Sequence, residues 1–101
     1  MKEEVKNWWK CAKEDLDVAE YCLEGDKIDA AAFYSQQSAE KALKTLQIQK
    51  LNRFDKTHDL LVLAKSINAP EEILTECGKI TPFFIITRYQ DGEIFYKKED
   101  V

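Results

Sequence analysis

Hydrophobic positions recur every three to four residues along most of this chain, which is the period of an amphipathic helix. Over Lys2–Glu24, Val5, Trp8, Trp9, Ala12, Leu16, Ala19 and Leu23 fall within an arc of about 100°, the width of a buried stripe. Lys6, Lys10, Lys13, Asp17, Glu20 and Glu24 occupy the opposite side, and Gly25 suits the residue just past a helix end. A second helix is predicted to start near Asp26 or Asp29, either of which can cap it, and to run to about Lys50. Its stripe is Ile28, Ala31, Ala32, Ser35, Ala39, Ala42, Leu43 and Leu46, mostly small residues that let a neighbouring helix come close. The Trp8 and Trp9 rings would fill the space so left. The short link around Gly25 makes the pair an antiparallel hairpin.

The pattern lapses from Leu51 to Lys56. Thr57 then reads as the cap of a third helix, with Asp59 in its first turn and Leu60, Leu63, Ala64 and Ile67 as its apolar stripe. On that helix His58 would lie opposite the stripe. Asn68-Ala69-Pro70 ends it, and Pro70 before two glutamates opens a fourth helix, whose face carries Ile73, Cys77, Ile80 and Phe84. Pro82 should kink or restart this helix, because a proline ring crowds the carbonyl four residues back, here that of Gly78. Gln90-Asp91-Gly92 reads as a turn.

Composition narrows the class. Three Gly and two Pro in 101 residues are too few for the many turns of an all-β domain, so the chain is read as one all-α unit spanning residues 1–101. A net charge of −4 argues against a duplex-DNA binder, though not against a nucleotide ligand. Cys11, Cys22 and Cys77 have neither an even count nor metal-ligand spacing, and read as free thiols of a cytoplasmic protein. No secretory leader and no membrane-length apolar run is seen.

Three segments carry a family resemblance: Trp8 to Ala19 with Ala12 and Asp15-Leu16; AFYSQQSAEKALK over Ala32–Lys44; and Lys56-Thr57-His58-Asp59-Leu60, followed by Arg88-Tyr89-Gln90-Asp91. In this order and spacing the chain resembles the HEPN family. The resemblance implies an up-and-down four- or five-helix bundle, read here as four, often dimeric, like the substrate-binding helical domain of nucleotidyltransferases. It implies nucleotide binding beside a separate minimal nucleotidyltransferase subunit, in toxin–antitoxin-like pairs, or a metal-independent ribonuclease. Where the family commonly has Arg-Tyr-Pro-Asp, this chain has Gln90. Members usually continue into a last long helix beyond that segment, and this sequence stops at Val101, so the expectation is a bundle without that helix whose open face is covered by a second copy or a partner.

Candidate chemistry is sparse. His58 is the only histidine, and Arg53 precedes it with four residues between, which matches the family's ribonuclease spacing. In that role His58 would act on the 2′-hydroxyl and Arg53 would stabilise the phosphate. The plainer reading makes His58 a locally bonded residue at a helix start. Arg88, Tyr89 and Asp91 could hold a phosphate, a base and a ribose, with Lys56 nearby; the plainer reading is a helix end stabilised by an ion pair. Gln37 and Lys41 share a face of the second helix away from its apolar stripe, as a ligand groove, a subunit interface or a solvated surface. With no Gly-rich loop, metal cluster or nucleophile elbow, no cofactor, metal or self-sufficient transferase site is expected.

Overall fold

The computed structural model describes the backbone of residues 2–88 and the side chains of residues 2–80. Four helices follow one another: α1 (Glu3–Glu24), α2 (Ile28–Leu51), α3 (Leu60–Ser66) and α4 (Glu71–Arg88), with no strand among the described residues. It is an all-α bundle in which α2 packs against each of the other three.

α1 and α2 form the expected antiparallel hairpin: Val5 and Ile48 line one groove near the start of α1 and the end of α2, while Ala12 meets Ser38. Their buried positions are small. Val5, Ala12 and Ala19 recur every seven residues on α1, and Ala31 and Ala32 are buried on α2. The helices come close enough for the Ser38 hydroxyl to donate to the Ala12 carbonyl at 2.7 Å. Trp9 and Leu16 do not join this seam; they are 40% and 47% exposed. Close approach through alanines squeezes large side chains to the rim.

The larger core lies on the other side of α2. Leu43, Leu60, Leu63, Ala64, Ile67 and Cys77 form one buried cluster, with Ala39, Ala69, Leu74 and Ile80 packed against it. The α3 stripe read from the sequence is fully realised here.

Helix ends differ in detail from the sequence reading. Gly25 ends α1, but its φ is negative, and the left-handed residue is Asp26 at φ 58°. Asn52 and Asn68 take the same conformation after α2 and α3. Asn and Asp reach this region at less cost than other side chains, which is why they serve at these exits. Neither Asp26 nor Asp29 caps α2; the cap position is Lys27, and Asp29 sits in the first turn, where its charge suits the helix dipole.

At α3 the cap is Asp59, not Thr57: the Asp59 carboxylate accepts from the backbone N–H groups of Leu61 and Val62. Thr57 supports it by accepting from the Asp59 N–H through its hydroxyl at 3.1 Å. His58 therefore precedes α3 and is not on its surface. Asp59→Ala is expected to cost about 1 kcal/mol, the usual loss of a cap. Urea unfolding would read this as a lower midpoint at unchanged slope.

α4 runs through Pro82 without the expected restart. The position one turn back is Gly78, which is exposed and has open space where a side chain would be. Its carbonyl can therefore turn to water when the proline withholds a donor. The Phe84 side chain and the turn read at Gln90-Asp91-Gly92 lie outside the described residues.

Candidate functional site

The site grows from a stripe of α2 that a polar-outside reading would send to solvent. Gln36, Glu40, Lys44 and Gln47 follow one another at four, four and three residues, so they share one face. All four are buried. The segment 52–59, which has no regular structure, crosses this face and is fastened to it.

Two amides do the fastening. The Gln47 amide accepts from the Asp55 N–H at 2.9 Å and donates to the Asp55 carboxylate at 3.0 Å and the Ser66 hydroxyl at 2.8 Å. The Gln36 amide donates to the His58 carbonyl at 3.2 Å and to Glu40 Oε1 at 3.1 Å, and accepts from Gln37 at 2.8 Å. Among the described residues no buried side-chain polar atom lacks a hydrogen-bond partner. That completeness is what allows charge so deep in a small domain.

Glu40 is the hub. His58 Nδ1 lies 2.7 Å from Oε1, and Lys44 Nζ donates to Oε2 at 3.0 Å. Burial pushes the Glu40 carboxyl up, but hydrogen bonds from His58, Gln36 and Lys44, with the Lys44 charge, outweigh it and hold the group below its ordinary value. Glu40 is thus a carboxylate and can only accept, so the His58 proton facing it sits on Nδ1. In the neutral ring the basic nitrogen is then Nε2. The carboxylate is 8% exposed and the imidazole 56%, so a buried anion orients a solvent-facing base.

Beside the hub, α1 and α2 leave a groove of about 310 Å³ lined by Trp8, Cys11, Glu40, Lys41 and Lys44. Phe54, from the crossing segment, meets Trp8 edge-to-face with ring centres 4.9 Å apart. The Lys44 ammonium lies 5.7 Å from the centre of the Phe54 ring. Lys41 reaches across to Asp15 of α1 at 2.6 Å.

The residues expected from sequence divide accordingly. His58 is at the hub and Lys41 in the groove. Lys41 does not sit on a free outer face; it ties α2 to α1. Gln37 is bound to Gln36 at the edge of the network. Arg53 is exposed and paired with Asp55 at 2.5 Å, so its anchor is Gln47, whereas that of His58 is Glu40, seven residues away on α2. Lys56 is exposed on the crossing segment. Tyr89, Asp91 and the Arg88 side chain lie outside the described residues. The sequence reading missed Glu40, Lys44, Gln47 and Trp8 as site residues. The available signal was polar residues at helical spacing, which leave α2 without a clean apolar face.

Among the described residues, no three His, Cys, Asp or Glu side chains gather into a metal-ligand set, and no helix is long and apolar enough to cross a membrane.

A hairpin of long helices, a short third helix and a polar cluster under the connector define a helical-bundle domain. The family model for the HEPN domain matches residues 5–101, and the chain belongs to that family. It is similar to the crystal structure of TT1696 from Thermus thermophilus, with 25% identity and a TM-score of 0.82, over 96% of this chain and 79% of that one. No curated protein sequence matches the chain.

Proposed function

We propose that this HEPN domain protein is a nucleotide- or substrate-binding accessory subunit, acting as a homodimer beside a minimal nucleotidyltransferase in a toxin–antitoxin-like pair. The observation that supports it best is the Glu40–His58–Lys44 cluster. A domain of this size gains little stability from burying ions, since well-packed apolar residues serve a core as well or better. An ionic cluster that presents an imidazole to solvent beside an aromatic-walled groove suits the capture of a ligand. Lys56, Arg88, Tyr89 and Asp91 are the proposed ligand contacts, and Gln37 and Lys41 line the approach.

Calorimetric titration with AMP, ATP and UTP tests this. Binding that weakens about tenfold in His58→Ala, equivalent to ~1.4 kcal/mol, and that falls also in Arg88→Ala is the expected result. Absence of binding by the wild-type chain overturns the nucleotide reading. Affinity capture from the native cell should bring a nucleotidyltransferase subunit with it.

One observation favours a second reading, a metal-independent ribonuclease. A carboxylate that fixes a histidine by Nδ1 is the arrangement a general base needs. Arg53 would then have to leave Asp55 to reach the phosphate. RNA cleavage by the purified protein that survives His58→Ala excludes this reading.

A further inference from the structure

The groove between α1 and α2 has its own chemistry, distinct from that of a phosphate site. Each of its cations is already matched: Lys41 to Asp15 at 2.6 Å and Lys44 to Glu40 at 3.0 Å. Among the described residues a phosphate there would meet no surplus positive charge, and it would face the Glu40 carboxylate. A neutral, flat, hydrogen-bonding ring meets better conditions. Trp8 offers an indole wall, braced edge-to-face by Phe54. Glu40 offers an acceptor at the floor: Oε1 takes bonds from His58 and Gln36, whereas Oε2 takes one, from Lys44, among the described residues. A carboxylate oxygen has two lone pairs, so Oε2 can accept once more. The two ammonium groups of the groove are donors to a ring nitrogen or carbonyl beside it. The volume, about 310 Å³, is at the lower limit of small-molecule sites, enough for one base with its sugar and phosphate left outside.

We propose that this groove is a nucleobase subsite, stacking the base on Trp8 and reading an amino group next to a ring acceptor, as in adenine or cytosine, through Glu40 and a lysine. This rests on the nucleotide-binding reading above and specifies which part of the ligand goes where. Uracil has no exocyclic amino group and can donate to Glu40 only through N3–H, which lies between two carbonyls. One carbonyl can accept from a lysine, but the other is held beside the carboxylate, so uracil is disfavoured there.

The test uses the groove's own reporters. Trp8 and Trp9 are the only tryptophans, so Trp9→Phe makes fluorescence report on Trp8 alone. Cys11 lines the groove, so its alkylation by iodoacetamide, followed in a Cys22→Ser background, reports occupancy independently. AMP and CMP should quench Trp8 saturably and protect Cys11; UMP should do so about tenfold less effectively, and ribose 5-phosphate should do neither. Trp8→Ala should weaken AMP binding about tenfold or more. Should that variant fold poorly, Cys11→Phe, at an exposed position, fills the groove without touching the core and should block AMP equally. Equal responses to AMP and UMP, or to AMP and ribose 5-phosphate, overturn the subsite. Calorimetric AMP binding with Trp8 unquenched and Cys11 unprotected overturns the subsite and leaves the nucleotide reading standing. No calorimetric binding of any nucleotide removes both.

Discussion

Glu40→Ala is expected to destabilise the domain by about 3–5 kcal/mol, because it leaves a buried ammonium without its counter-charge. Lys44 is 10% exposed at the side chain and donates to Glu40 at 3.0 Å. The same change removes the acceptor of His58 Nδ1 and one acceptor of the Gln36 amide, so the end of the crossing segment loosens as well. Chemical denaturation should show the loss, and hydrogen exchange should show it spread over 52–59. Substituting Gln instead keeps the shape but not the charge, and should recover only part of the stability.

The same residue gives the domain an acid limit. The Glu40 carboxyl titrates below its ordinary value of 4.5 in the folded chain. A depressed folded value means the unfolded chain binds the proton more readily. The carboxylate therefore adds stability above the unfolded value, and this is lost as pH falls through the folded one. Wild type should lose stability on acidification below about pH 4.5, and Glu40→Gln should show a shallower acid limb. Equal acid limbs for the two chains would show that the carboxylate does not contribute in this way.

Leu63→Ala should cost about 2–5 kcal/mol, the range for emptying a closed leucine site. Leu63 is fully buried among Leu43, Leu60, Ala64, Ile67 and Cys77, where α2, α3 and α4 meet. α3 has seven residues, too few to persist as a helix without this packing. The midpoint of thermal unfolding should fall by about 10 °C or more, at roughly 4–8 °C per kcal/mol for a domain of this size. The effect differs in kind from that of Glu40→Ala. Leu63→Ala should lower stability at every pH, whereas the loss in Glu40→Ala should shrink in acid, where the wild-type carboxylate is itself protonated.

Local order was legible in the chain because it depends on near neighbours. Apolar spacing is enough to place α1, α2 and α3 and to pick out Leu60, Leu63, Ala64 and Ile67 as core. The short link at Gly25 is enough for the hairpin, and three segments of motif for the family. Periodicity was less informative where small residues set the geometry. Trp9 and Leu16 share an arc with Ala12, yet the alanine seam draws the helices together and leaves the larger side chains at its edge. Capping was legible only to within two residues, since Thr57 and Asp59 have similar chemistry and backbone geometry decides between them.

The sequence by itself determined four helices, an all-α domain and one histidine on which any imidazole chemistry must rest. Only the tertiary structure decided what that histidine does. Segment 52–59 has no repeat that says where it lies, and a run such as Gln36, Glu40, Lys44 and Gln47 reads as a wet surface, because isolated polar groups belong in water. Folding the segment across α2 supplies Gln36, Glu40 and Gln47 with partners, while Lys44 pairs with Glu40 within the helix; this removes that penalty and places His58 over a buried carboxylate. The partners in the crossing segment come from 8 to 22 residues away along the chain, beyond the reach of any local pattern.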